Sequence, residues 1–119
     1  MALPWGLYVH VPWCRRRCAY CDFSFVVGPS SPRFAPALKA EILERRHEMP
    51  SVAADSLSFG GGTPTRLPVA DLDQVVSFVR GNGLLAERAE ISAEANPEDL
   101  NTENVAALAE AGFNRLSIG

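Results

Sequence analysis

Cysteine is scarce and confined in this sequence. Three residues, all between Cys14 and Cys21, are the whole complement of a 119-residue chain. An odd, clustered set does not build a disulfide framework. The opening Met1-Ala2-Leu3-Pro4-Trp5 lacks the basic and long apolar regions of a secretory signal, so a cytoplasmic location with reduced thiols is expected. No apolar run approaches the roughly 18 residues of a membrane-crossing helix. Basic residues are outnumbered, 11 Lys plus Arg against 14 Asp plus Glu, for a formal charge of −3. That balance argues against a general nucleic-acid binder. No low-complexity segment or linker divides the chain. What remains, 47% apolar and 21% charged, is the mixture of a soluble globular domain and not of a disordered segment.

Leu7-Tyr8-Val9-His10-Val11, between Gly6 and Pro12, reads as a first strand. Residues 12–32, with the cysteines and Gly28-Pro29-Ser30-Ser31-Pro32, read as a long loop, and loops of that length are functional or disordered. Phe34, Leu38 and Ile42 recur at helical spacing, predicting an amphipathic helix from Arg33 to about Met49, stopped by Pro50. Ser56–Phe59 is a second strand that runs into Gly60-Gly61-Gly62-Thr63-Pro64. Leu72, Val75, Val76 and Val79 predict a second helix, ended by Gly81-Asn82-Gly83. Glu90–Glu94 is a third strand. Val105, Leu108 and Ala109 mark a third helix, with Asn101 or Thr102 as its cap and Gly112 past its end. Arg115–Ile118 is a fourth strand. The alternation βαβαβαβ predicts an α/β fold with a parallel sheet. A full eight-unit barrel takes about 250 residues, so residues 1–119 are expected to be the N-terminal part of a longer barrel.

The three cysteines have the spacing Cys14-x3-Cys18-x2-Cys21. Thiolates packed this closely suit zinc or an iron–sulfur cluster. Either normally takes four protein ligands. His10 could be a fourth zinc ligand, whereas a cluster held by three cysteines keeps one iron open for a small molecule. Arg15, Arg16 and Arg17 are either a solvated run or an offset to the thiolate charge. The glycines are not a nucleotide phosphate loop, because no Lys follows them. They form either a tight turn or a backbone that approaches a ligand without an intervening Cβ. Glu94, at the strand end, is either solvated or a cap for the next helix, or it accepts hydrogen bonds from a ribose or amino group. In a parallel βα sheet ligands bind beyond the carboxyl ends of the strands. The cysteine loop, the glycines and Glu94 all project onto that one edge.

These residues resemble the radical S-adenosylmethionine (SAM) superfamily, whose signature is Cys-x3-Cys-x2-Cys with an aromatic, here Tyr20, before the last cysteine. Leu7–Pro12, Gly60–Thr65, Glu94–Pro97 and Asn114–Gly119 further resemble the blocks of oxygen-independent coproporphyrinogen III oxidases and their HemW-type relatives, in the right order over nearly the whole chain. The resemblance implies a partial (β/α)6 TIM-like barrel, of which residues 1–119 hold the first four strands and three helices. It implies that Cys14, Cys18 and Cys21 ligate a 4Fe-4S cluster whose open iron binds SAM. It also implies SAM contacts at Tyr8, Gly61, Gly62, Thr63 and Glu94, with Tyr20 beside a second SAM. An electron from the cluster would cleave SAM to methionine and a 5′-deoxyadenosyl radical.

Two departures separate the chain from the oxidases. They carry a further cysteine two places after the last ligand, where this chain has Phe23. They also have a longer arm before the first strand. Both features resemble the HemW group, whose members bind haem and deliver it to haem proteins, so haem and its acceptor proteins are the implied partners. The alternatives are an oxidoreductase that decarboxylates coproporphyrinogen III to protoporphyrinogen IX, and a zinc-stabilised binding domain with no redox role. Trp5 and Trp13 are expected to pack around the first strand, His10 to be a structural histidine, and His47 to be solvated.

Overall fold

A computed structural model describes residues 4–14, 26–27 and 31–119. The order of elements is β1 (Gly6–Val11), β2 (Trp13–Cys14), β3 (Val26–Val27), α1 (Phe34–Arg45), β4 (Ala54–Gly61), α2 (Val69–Gly81), β5 (Leu85–Ala95), α3 (Thr102–Ala111) and β6 (Arg115–Ile118). β1, β4, β5 and β6 form one parallel sheet in that order. The order never reverses. Right-handed crossovers then put every helix on the same side of the sheet, as in a barrel and unlike a doubly wound fold.

A parallel sheet covered on both faces reads as continuous apolar strands. Here burial alternates. Val9, Val11, Leu57, Phe59, Ile91 and Ala93 face the helices and join Ile42, Leu72, Val75, Val76, Val79 and Leu108 in one core. Phe59 packs on Phe113 with ring centroids 5.4 Å apart. The intervening residues make the opposite face. The register sets Tyr8, Ser58 and Ser92 in one row and His10 beside Gly60 in the next. In that next row Glu94 is paired with Ser117. This second face carries hydroxyls, an imidazole, a carboxylate and glycine.

The expected helices and strands are present, with altered limits. β4 takes in Gly60 and Gly61, whereas the strand expected from the sequence stops at Phe59. β5 begins at Leu85, five residues earlier than expected. The supposed loop holds two short strands, with Trp13 paired to Val26 and Cys14 to Val27. α1 ends at Arg45, and a 3-10 turn, Arg46–Glu48, completes the segment before Pro50. Asn101, not Thr102, caps α3, accepting from the Asn104 N–H at 2.8 Å, and Gly112 closes it at φ 108°. Of the three markers of α3 only Leu108 is buried, and Val105 faces solvent.

Asn114 explains how β5 keeps its pairing below the start of β6. Its Oδ1 accepts from the Ile91 N–H at 2.8 Å, and its Nδ2 donates to the Ala89 carbonyl at 3.1 Å. The side chain thus satisfies β5 backbone groups as a strand neighbour would, and such groups are costly when left unmet. Trp5 does border the first strand, donating from Nε1 to the Val52 carbonyl at 2.9 Å. His47 is exposed. No helix among the described residues is long and apolar enough to cross a membrane.

Candidate functional site

The carboxyl ends of β1, β4 and β5 gather most of the residues that the sequence singles out. Gly60 is the centre of the arrangement. A Cβ placed on it would overlap Oε1 of Glu94 and lie 2.9 Å from the Tyr8 hydroxyl. The carboxylate and the phenol therefore converge over a backbone that presents no side chain. Gly61 follows at φ 103°, and its missing Cβ would lie 2.5 Å from the His10 ring and 3.0 Å from the Val11 carbonyl oxygen. The Gly62 N–H donates to that same oxygen at 2.6 Å, so the turn stays bonded to the end of β1. Thr63 is extended and leads into a 3-10 turn, Pro64–Arg66, whose Pro64 is buried.

Tyr8 is 60% exposed, yet its pKa is raised above the usual 10.0, first by partial desolvation and second by the negative charge of Glu94. Both effects penalise the phenolate. The phenol is therefore a neutral hydrogen-bonding group throughout the neutral range. Its contribution to stability is complete below the unfolded pKa and is lost as pH rises through the higher folded one. Replacing Glu94 with Gln removes the electrostatic cause, and the Tyr8 titration should move down toward the ordinary tyrosine value. An ultraviolet difference titration in a Tyr20→Phe background reads this shift. An unmoved titration contradicts the arrangement.

Tyr8, His10, Gly60, Gly61 and Glu94 are thus brought together, with Gly62 and Thr63 next in the turn. The Cys14 backbone follows β1, and strand β2 lies against the Pro64–Arg66 turn. Cys18, Cys21, Tyr20, Phe23 and the arginines 15–17 lie outside the described residues. His10 lies against Gly61.

Residues that received no role from the sequence complete the site. Ser92 Oγ donates to Ser58 Oγ at 3.3 Å on the polar face. Thr65 bonds both Asp99 and the backbone of Asn96. The only available signal for Thr65 was its place at the end of the Gly60–Thr65 block. A cleft of about 370 Å³, lined by Thr65, Arg66, Glu98, Asp99, Asn101 and Asn104 among others, lies outside this cluster and holds none of Tyr8, Gly60, Gly61 or Glu94.

A family model described as the radical SAM superfamily matches residues 8–119. The chain is 38% identical over 121 residues to the heme chaperone HemW of Mycobacterium tuberculosis, covering 98% of this chain and 31% of that protein. It is 40% identical over 127 residues to the oxygen-independent coproporphyrinogen III oxidase of Paracoccus denitrificans, covering 99% and 28%. The solved structure of coproporphyrinogen III oxidase (HemN) from Escherichia coli, described as a radical SAM enzyme, superposes with a TM-score of 0.84 at 34% identity, over 98% of this chain and 27% of that one. The chain thus spans less than a third of the length of these relatives.

Proposed function

The chain belongs to the radical SAM superfamily, among the coproporphyrinogen oxidase-like and HemW proteins, and on that premise we propose that it is part of a cytoplasmic HemW-type haem chaperone that retains the cluster and SAM sites. The observation that carries the choice is Phe23 in the position where the oxidases have a further cysteine. Overall identity to the two kinds of relative is similar and does not choose between them.

The residues present fit the groups that the family implies. Cys14, Cys18 and Cys21 supply three soft thiolates suited to a 4Fe-4S cluster with one open iron. Bound there, the cluster supplies the electron for reductive cleavage of SAM. The chain's own part is to bind and orient. Glu94 offers a carboxylate to an ammonium group, and the side-chain-free backbone at Gly61 and Gly62, with Thr63, offers polar main-chain groups to a carboxylate. The neutral Tyr8 phenol can donate a hydrogen bond beside Glu94. Tyr20 matches the aromatic next to a second SAM.

The oxidase reading is kept as the second one, on the close superposition with HemN. Incubating the reduced protein anaerobically with SAM and coproporphyrinogen III separates the two. The chaperone reading expects stable haem binding, seen in the absorption spectrum, and no protoporphyrinogen IX. Turnover to protoporphyrinogen IX overturns it.

A further inference from the structure

The β4–β5 pairing runs up to Phe59–Ala93. On either side the sheet stays paired further, β1 with β4 to Val11–Gly61 and β5 with β6 to Ala95–Ile118. The sheet therefore opens between β4 and β5 at the level of Gly60 and Glu94, where the site lies. From one lip of the opening leaves the turn with Gly61, Gly62 and Thr63. From the other leaves the loop that follows Glu94.

Thr65 spans the two loops. Its hydroxyl donates to Asp99 Oδ2 at 3.1 Å and accepts from the Asn96 N–H at 3.3 Å. A threonine hydroxyl has one proton and two lone pairs, and both functions are used here. The partners are themselves fixed. Asn96 accepts from the Glu98 N–H through its side chain at 3.2 Å and from the Asp99 N–H through its carbonyl at 2.9 Å. The Asp99 carbonyl accepts from Asn104 Nδ2 at 2.8 Å, and Asn104 stands in the first turn of α3. On the other side Pro64, the neighbour of Thr65, is buried. The hydroxyl thus joins two anchored segments, one two residues past Thr63 and the other two residues past Glu94.

We infer that Thr65 is a positioning residue that sets the width of the β4–β5 opening, and so the distance between the glycine backbone and the Glu94 carboxylate across which a ligand is held. The inference rests on the SAM reading given above. Thr65 acts through the two loops and not by contact with the ligand.

The test is SAM affinity, measured by equilibrium dialysis on the reconstituted protein as its gene encodes it, beside iron content and thermal midpoint. Thr65→Val keeps the shape and removes both bonds, and should weaken SAM binding about tenfold with iron content unchanged. Thr65→Ser restores the hydroxyl and should bring affinity back to within about twofold. Asp99→Ala takes away the acceptor of one of the two Thr65 bonds and leaves the Asn96 bond, so affinity should fall between the two, which keeps the inference open to refutation if the valine variant does not fold. Unchanged affinity in folded Thr65→Val or Asp99→Ala overturns it. So does a serine variant as weak as the valine one, since that pattern reports packing and not the bridge. Failure of the unsubstituted protein to bind SAM refutes the SAM reading itself, a distinct result.

Discussion

Alanine at Gly61 is expected to cost about 2–4 kcal/mol of folding stability. Two effects combine. The φ of 103° lies in a region that only glycine occupies freely. A Cβ there would also stand 3.0 Å from the Val11 carbonyl oxygen and 2.5 Å from the His10 ring. The His10 ring belongs to an exposed side chain, which can shift more readily than backbone. The Val11 oxygen cannot, because it belongs to the end of β1 and accepts from the Gly62 N–H. A domain of ordinary stability, about 5–15 kcal/mol, would survive with a clearly lower denaturation midpoint. A midpoint equal to that of the unsubstituted protein contradicts the strained turn described here.

Alanine at Gly60, one residue earlier, should do the opposite. Its φ is not in the left-handed region, so the backbone accepts alanine. The obstacles are the ends of two side chains, Glu94 Oε1 and the Tyr8 hydroxyl. Both residues are exposed on the polar face and can rotate into solvent, so the fold loses little. The site loses its geometry, because the added methyl occupies the place where carboxylate and phenol converge. SAM affinity should fall by about a hundredfold, the scale of a misplacement near 1 Å, with the denaturation midpoint almost unmoved. Gly81→Ala is the control, since a Cβ there meets nothing within 4 Å. A Gly60→Ala protein that binds SAM normally removes Gly60 from the site.

The contrast between these neighbours was not legible in the sequence, where both glycines belong to one Gly60-Gly61-Gly62 run with one shared pair of readings. They continue β4 because parallel pairing uses backbone groups and needs no Cβ, and Gly60 and Gly61 pair with His10 and Val11. The early start of β5 was hidden for a different reason. Ala86-Glu87-Arg88 has little strand propensity, and β5 is sustained there by its neighbours, with Asn114 serving Ala89 and Ile91 from a distant part of the chain. The strand-and-helix order, the core of α2 and the caps of α3 were legible because each rests on local periodicity or local capping chemistry. The convergence of the glycines and Glu94 on one edge followed from topology alone. The position of Glu94 over Gly60 and the Thr65 bridge required the register, which no local pattern encodes. For Cys18, Cys21 and Tyr20 the assignment still rests on spacing and family membership.

The polar face also tells what kind of sheet this is. A sheet of parallel strands with hydroxyls, a carboxylate and glycine on one side cannot be buried there against apolar helices. It lines the inside of an open barrel. β6 carries Ile118 exposed on the other side, and its free edge has no partner among the described residues. Unpaired edges of this kind promote association.

The central claim is that the three cysteines hold a redox cluster next to a SAM site. Anaerobic reconstitution with iron and sulfide, followed by metal and sulfide analysis, tests it most directly. The account predicts a brown protein with about four irons and four sulfides per chain, whose reduced-state electron paramagnetic resonance spectrum changes when SAM is added. A colourless protein that holds one zinc and no sulfide contradicts it.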